Sequence, residues 1–311
     1  MRGTQEVTTF RRTFGATIVV TAANVPPVDP EDIVTLTYKT YVAPSKPAVS
    51  DDLPPGETQR YWSPTTSTLI HGERDAVLVD PLMTTAEAGD LGEWVAAKGK
   101  DLQTIVVTHG HGDHFFGASV VLARFPHARF VAAPGVVDVM RRQLTPDWDT
   151  FWRSRFPGQL PDDVLVADPL ESSTITLEGE ALEVVELGHA DTDRSTALHV
   201  PSSGLLVAGD AVYNGVHLYL VEGRGDGAAQ WLAALDTVAA LHPTTVVAGH
   251  KAPDAKDSPD AIDATRQYIQ DFLTAVEETS TTEDLYDAML RKHPSRINRG
   301  VLWNSARAWK G

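Results

Sequence analysis

A short stretch of the chain, Thr-His-Gly-His-Gly-Asp-His at residues 108–114, concentrates side chains that bind metals. Imidazole nitrogens and carboxylate oxygens are ligands that divalent transition metals prefer, so this density of them indicates a metal site. Gly110 and Gly112 separate the ligands and permit tight backbone conformations that let the side chains converge. The ligands form two pairs, His109 with His111 and Asp113 with His114. Two pairs, with further ligands downstream, exceed what one ion needs, and we therefore expect two ions.

Further ligand candidates follow three apolar segments, at residues 182–187, 204–208 and 244–248. Each segment has the composition of a strand, as does the run 104–108 before the first cluster. Each of the three is followed by a glycine and then by a polar residue. These polar residues are His189, Asp210 and His250. Strand ends that meet at one edge of a sheet sandwich would bring them together with the first cluster.

The order His-x-His-x-Asp-His, Gly-His, Gly-Asp, Gly-His resembles the metal signature of the metallo-β-lactamase superfamily, over roughly Thr66 to Lys251. The resemblance implies an α/β fold, an αββα four-layer sandwich with the metals at one edge of the paired sheets. It also implies a division of ligands: His109, His111 and His189 on the first metal, Asp113, His114 and His250 on the second, and Asp210 bridging the two. Asp80, which ends the strand-like segment 76–79, either supports the site from outside the metal ligands or caps a turn.

Two ions about 3.5 to 4 Å apart can share a water, lower its pKa and polarise a carbonyl oxygen. Zinc suits these ligands best, although manganese, iron, cobalt or nickel also bind such sets. Asp113 is placed to move a proton to the leaving group. Resemblance to the lactonase branch implies that Tyr213 contacts the substrate carbonyl. We also expect substrate contacts from His217, Trp148 and Trp152.

The composition restricts the partners. The 311 residues include no cysteine, carry a net charge of −16 and have a pI of about 5.0. Such a charge repels nucleic acid, no apolar run is long enough to span a membrane, and a small-molecule substrate is therefore expected. The pair Arg11-Arg12 before residues 14–23 resembles a twin-arginine export signal, but the short, threonine-rich stretch favours an accessory strand and a cytoplasmic protein.

The chain divides by pattern into three parts. Residues 1–60, rich in proline from residue 24, predict an extended arm. Residues 61–255 predict the catalytic domain, with an inserted aromatic lid at 136–165. Residues 256–311 predict a helical extension packed on the core, whose tail from Pro294 either docks there or forms a homodimer contact.

These features together predict a dinuclear zinc hydrolase acting on a carbonyl-type bond of a small molecule, with lactones and esters favoured over amides and thioesters. Three alternatives remain open at this stage. The first is hydrolytic dehalogenation at the same dimetal site, and the second is an iron-dependent enzyme resembling persulfide dioxygenases. The third is a metal-binding module without turnover, against which the complete ligand set argues.

Overall fold

The structure, a computed structural model, describes residues 36–311. The segment that resembles an export signal and the first part of the predicted arm lie outside the described residues. Among the helices of residues 36–311, none combines the length and the apolar character needed to cross a membrane.

The strands of the described residues are numbered in chain order. They are β1 (Thr37–Ala43), β2 (Lys46–Ala48), β3 (Arg60–Trp62), β4 (Thr65–His71), β5 (Asp75–Val79), β6 (Asp101–Val107), β7 (Arg129–Ala132), β8 (Asp168–Pro169), β9 (Thr174–Leu177), β10 (Glu180–Gly188), β11 (Ser195–Val200), β12 (Leu205–Val207), β13 (Tyr213–Asn214), β14 (Thr245–Val247) and β15 (His250–Lys251).

The helices are α1 (Thr85–Ala96), α2 (Gly112–Phe115), α3 (Ala118–Arg124), α4 (Pro134–Gln143), α5 (Pro146–Arg155), α6 (Gly227–Ala240), α7 (Asp260–Glu278), α8 (Thr282–Lys292) and α9 (Arg299–Lys310). Local signals explain several of their starts. Thr84 caps α1 in a reciprocal capping box with Glu87, and α4 and α5 each begin with proline in the first turn.

Two sheets face each other. The first runs β13-β15-β4-β5-β6-β7-β8, with β1 added beside β4, and its strands from β5 to β8 are parallel. The second runs β14-β12-β11-β10-β9 and is antiparallel except for β12 with β14. A separate hairpin pairs β2 with β3.

The side chains of β12 show how the layers stack. Leu205 and Val207 belong to the apolar core shared with the first sheet, whereas Leu206 belongs to a second core with α6 and α7. Because side chains alternate along a strand, the second sheet is buried on both faces. Buried residues of α1, such as Leu91, join the first core. The predicted αββα arrangement is therefore confirmed.

The predicted boundary at residue 60 is not a boundary in the structure. The segment 37–43 lacks proline and pairs along its full length with β4, so the arm joins the first sheet from Thr37 onwards. Arg60 then links the chain around Asp52 to the C-terminal helix α9, because its guanidinium donates to the carbonyl oxygens of Asp52 and Gly300.

Candidate metal centre

The first ligand cluster follows the buried strand β6 that was predicted to position it: His109 and His111 lie in the loop before α2, and Asp113 and His114 lie in α2 itself. Asp80, at the end of β5, holds this loop. Its Oδ1 accepts from the amide of Thr108 at 2.8 Å, and its Oδ2 accepts from Thr108 Oγ1 at 2.7 Å and from His114 Nδ1 at 3.0 Å. Asp80 thus contacts a predicted ligand from behind while it fixes the backbone that carries the others.

Close packing explains two glycines beside the ligands. A Cβ on Gly110 would lie 2.5 Å from Val139 of α4, and a Cβ on Gly249 would overlap Oδ1 of Asp210. Neither glycine has a positive φ angle, so the requirement at both positions is space, and at Gly110 this replaces the backbone freedom expected from the sequence.

The carboxylate of Asp210 lies at the centre of the cluster. Its Oδ2 is 3.1 Å from His250 Nε2 and 3.8 Å from His109 Nε2, and its Oδ1 is 3.3 Å from His114 Nε2. Tyr213 donates its hydroxyl to Oδ2 at 2.9 Å. Asp210 is therefore within reach of ligands from both predicted metal sites, the placement that a bridging residue requires.

Asp113 lies beside the second group of ligands. Its Oδ2 is 3.4 Å from His250 Nε2 and 3.8 Å from His114 Nε2. The indole N–H of Trp62 donates to this same oxygen at 2.9 Å. Asp113, His114 and His250 place their ligand atoms within 4.8 Å of one another.

Each histidine of the centre has its outward ring nitrogen occupied. His114 contacts Asp80, His109 contacts Thr108 Oγ1, His250 contacts the carbonyl of Pro64, His111 contacts Glu222 and His189 contacts Asp193. Carboxylates and carbonyls only accept hydrogen bonds, and the Thr108 hydroxyl already donates to Asp80, so each of these rings carries a proton on its outward nitrogen. In the neutral ring, which is the form that binds a metal, the other nitrogen keeps a lone pair directed into the cluster.

Several inward atoms are buried without a hydrogen-bond partner in residues 36–311. They are Nε2 of His109, His114 and His189, and Oδ1 of both Asp210 and Asp191. Buried polar atoms without partners are costly, and a divalent cation would satisfy nitrogen lone pairs and carboxylate oxygens together. The residues present therefore fit a divalent metal.

The charges of the cluster are strongly coupled. Burial opposes the charged forms, yet the carboxylates of Asp210 and Asp113 raise the pKa of His250 to about 9. Conversely, although burial acts to raise it, the neighbouring imidazoles of His250, His114 and His109 hold the pKa of Asp210 well below its usual range. Burial raises the pKa of Asp191 to about 6 even though His111 lies beside it. Stabilisation of carboxylates and imidazoles by one another is typical of functional sites.

The predicted ligands do not all converge. His109, His111 and Asp210 form one group within 4.8 Å, and the fourth member of that group is Asp191. His189 joins no such group among the described residues. Its Nδ1 is 2.7 Å from Asp193, and its Nε2 lies 2.8 Å from the position that a Cβ on Gly227 would take.

A cavity of about 550 Å³ opens onto the metal-ligand cluster. The ligand candidates in its wall are His111, Asp113, Asp191, Asp210 and His250, and the aromatic residues are Tyr61, Trp62, Trp148, Phe151, Trp152, Tyr213 and Tyr219. Trp148 and Trp152 come from α5, inside the predicted lid. Trp152 also packs in the core, since it is buried and donates to Gln143.

The structure does not bring His217 to this cavity. Its side chain is fully buried, and its Nδ1 contacts the hydroxyl of Tyr268 in α7 at 2.9 Å. The predicted substrate contact at His217 is thus replaced by a packing role. Tyr213 does line the cavity, but its hydroxyl is engaged with Asp210.

Three residues at the centre were not anticipated from the sequence. Trp62 contacts Asp113, Glu222 contacts His111, and Asp191 faces His111 and His109. Trp62 and Glu222 lie far along the chain from their partners, so only the fold brings them there. Asp191 had a visible signal, because it lies two residues after His189 at the end of the same strand.

The family model that describes the metallo-beta-lactamase superfamily matches residues 60–250, and the chain belongs to this superfamily. A hydroxyacylglutathione hydrolase of Aeromonas salmonicida (strain A449) is 30% identical over 180 residues, 58% of each chain. One of Synechococcus sp. (strain CC9902) is 33% identical over 182 residues, 56% of this chain and 61% of the other. The chain therefore matches only about three fifths of the length of these relatives.

Solved structures agree on the fold. A metallo-beta-lactamase family protein from Thermus thermophilus is 21% identical with a TM-score of 0.56, and the match covers 87% of this chain and 91% of that one. A beta-lactamase domain protein from Burkholderia ambifaria is 16% identical with a TM-score of 0.58 over 92% of this chain and 89% of that one.

Proposed function

We propose that the protein is a metal-dependent hydrolase that cleaves a carbonyl-type bond of a small molecule, with esters, lactones and thioesters as the substrate class. The observation that carries this proposal is the cavity itself. Its inner wall holds buried His and Asp side chains, and α5 supplies aromatic rings to the remainder. A substrate could therefore place its reacting bond at the ligands and its apolar part against the rings.

The proposal includes two divalent ions, with zinc as the first choice. The first would be held by ligands around His109 and His111, the second by Asp113, His114 and His250, with Asp210 between them. When bound, such ions supply an activated water and polarise the carbonyl group.

The chain's own residues would orient the chemistry. Asp113 would take the proton of the attacking water and return it to the leaving group, while the indole of Trp62 holds its carboxylate through Oδ2. Tyr213 would keep Asp210 in its bridging orientation. For Tyr213 to contact a substrate carbonyl as well, its hydroxyl would have to leave Asp210.

The type of bond is the less specific part of the proposal. The lactone preference depended on Tyr213, whose hydroxyl is already engaged, whereas the named relatives act on hydroxyacylglutathione. Thioesters therefore belong in the proposed class beside lactones and esters. The strongly acidic chain still argues against nucleic-acid substrates.

The test combines elemental analysis of the full chain with hydrolysis of an aryl ester, a lactone, an acyl-glutathione thioester, a cephalosporin and a phosphodiester. We expect two zinc ions per chain and turnover confined to ester or thioester bonds. Asp113→Asn should lower kcat at least about 100-fold, and Asp163→Asn, an exposed carboxylate outside the cavity, should leave it unchanged.

Three other results would replace the proposal. One iron per chain with oxidation of a persulfide and no hydrolysis would establish the oxygenase alternative. Halide release from an activated aryl halide without ester cleavage would establish the dehalogenase. Metal binding without turnover of any compound would leave a metal-binding module.

A further inference from the structure

Asp191 is a buried carboxylate that the superfamily signature does not include. It lies in the turn between β10 and β11, is 1% exposed, and within residues 36–311 its Oδ1 has no hydrogen-bond donor. A buried carboxylate destabilises the fold unless a cation or hydrogen-bond donors compensate its charge. Its surroundings should therefore identify the missing partner.

The nearest groups to Asp191 are inward-facing imidazole nitrogens. Its Oδ2 is 2.9 Å from His111 Nδ1 and 4.0 Å from His109 Nε2. At the shorter distance, His111 and Asp191 form a close ion pair when the imidazole is protonated. Metal–ligand bonds of about 2.0 to 2.2 Å place two ligand atoms on one ion roughly 3 to 4 Å apart, so both separations suit a shared ion.

Glu222 confirms which nitrogen of His111 faces inward. Its Oε1 accepts from His111 Nε2 at 3.2 Å, so Nδ1 is the ring nitrogen directed towards Asp191. The other oxygen of Glu222 accepts from Thr192 Oγ1 at 2.8 Å, and Thr192 adjoins Asp191 in the chain. One side chain therefore positions both His111 and the turn that carries Asp191.

We propose that Asp191 donates a carboxylate oxygen to the first metal, together with His109, His111 and Asp210. The inference rests on the metal binding that forms part of the proposed function. It gives the first site two nitrogen and two carboxylate ligands in place of three imidazoles and the bridging carboxylate. Such a set is harder, and it raises the affinity for manganese or iron relative to a three-histidine site.

The experiment is a metal titration of the full chain without substrate, using competition with a chromophoric chelator and elemental analysis for stoichiometry. Asp191→Asn keeps the shape of the side chain and removes its charge. Loss of a residue that merely supports a ligand costs about 10- to 100-fold in affinity, and loss of a ligand should cost more. We therefore expect Asp191→Asn to weaken one of two zinc equivalents by more than about 100-fold.

Two further variants and a spectrum complete the design. Asp191→Glu, which restores the carboxylate, should recover part of the lost affinity, and Asp254→Asn, an exposed residue, should titrate like the wild type. Cobalt-substituted Asp191→Asn should lose the visible absorption bands of one site. Two tight zinc equivalents in Asp191→Asn, each weakened by about 100-fold or less, would overturn the assignment. Failure of the wild type to bind any divalent ion would instead refute the proposed function.

Discussion

Substitution of Asp80 by asparagine tests how the centre controls the proton of a ligand. Asp80 is 1% exposed, and its Oδ2 accepts hydrogen bonds from both Thr108 Oγ1 and His114 Nδ1. An asparagine amide group at Oδ2 would donate where the carboxylate accepts. Thr108 can rotate its hydroxyl to accept, but His114 can accept only by moving its proton from Nδ1 to Nε2. That proton would then occupy the nitrogen that faces Asp210 and Asp113.

The expected magnitudes follow from these contacts. Loss of an outer partner of a metal-binding histidine costs about 10- to 100-fold in metal affinity, equivalent to about 1.4 to 2.7 kcal/mol. The metal-free protein should also lose about 1.5 to 3 kcal/mol of unfolding free energy, the contribution of one hydrogen bond to a charged group. The bond from the Thr108 amide to Oδ1 is retained, so the loop should keep its backbone course.

Zinc affinity would be measured by chelator competition and the unfolding free energy by urea denaturation of the metal-free chain. Asp75→Asn is the matched control, since Asp75 lies on the same strand but contacts Gln103 at the surface. A zinc affinity within threefold of the wild type in a folded Asp80→Asn variant would refute the argument that Asp80 sets the tautomer of His114.

Three further predictions concern stability. Trp152→Ala should lower the unfolding free energy by about 3 to 5 kcal/mol because it empties a core position, whereas the half-buried Trp148→Ala should cost much less in the same urea titration. Burial, with nearby Arg296, lowers the pKa of His217 from 6.5 to about 3. Between these two pKa values the unfolded state binds a proton that the folded state does not bind. The contribution of neutral His217 to the unfolding free energy is therefore complete above pH 6.5 and is lost as the pH falls. Between pH 6.5 and 5, urea denaturation should show that the wild type loses about 2 kcal/mol more unfolding free energy than His217→Asn. The exposed His127→Asn should follow the wild type. Parallel pH curves for the wild type and His217→Asn would contradict this prediction. Removal of metal by a chelator should lower the Tm, and an unchanged Tm would show that the metal does not stabilise the fold.

The ligand-bearing strands could be predicted because their signals are local. Each of the predicted segments 104–108, 182–187, 204–208 and 244–248 corresponds to a strand that ends one to three residues before a candidate ligand. Alternation and a terminal glycine are visible within ten residues, so no knowledge of the fold was required.

The choice between His189 and Asp191 could not be read from the sequence. Both residues follow β10, and their directions depend on a turn in which Gly188 and Arg194 have positive φ angles of 75° and 61°. A bulge between Glu186 and Gly188 changes the register just before that turn. Conformations of this kind depend on packing against distant elements, including Gly227 at the start of α6.

The position of His217 also could not be predicted from the sequence. Its position in the loop after Asp210 favoured a contact with substrate, yet Val216 and Leu218 on either side are fully buried and carry it into the core with α7. Its partner Tyr268 lies 51 residues further along the chain. A lone histidine between apolar neighbours is thus better interpreted as a packed residue, because burial of its neighbours fixes its own environment.

The outer wall of the cavity explains why the reaction class is easier to argue than the substrate. Five of the lining residues, Asp52, Asn298, Val301, Asn304 and Arg307, lie outside the matched residues 60–250. Arg307 pairs with Asp52 at 2.6 Å, so the segment before β3 and helix α9 close this wall together. The superfamily match covers the metal ligands and therefore the chemistry, whereas these two segments determine what fits opposite the ligands. Substrate identity must accordingly be established from this wall, and the name of a relative that shares only the matched part does not supply it.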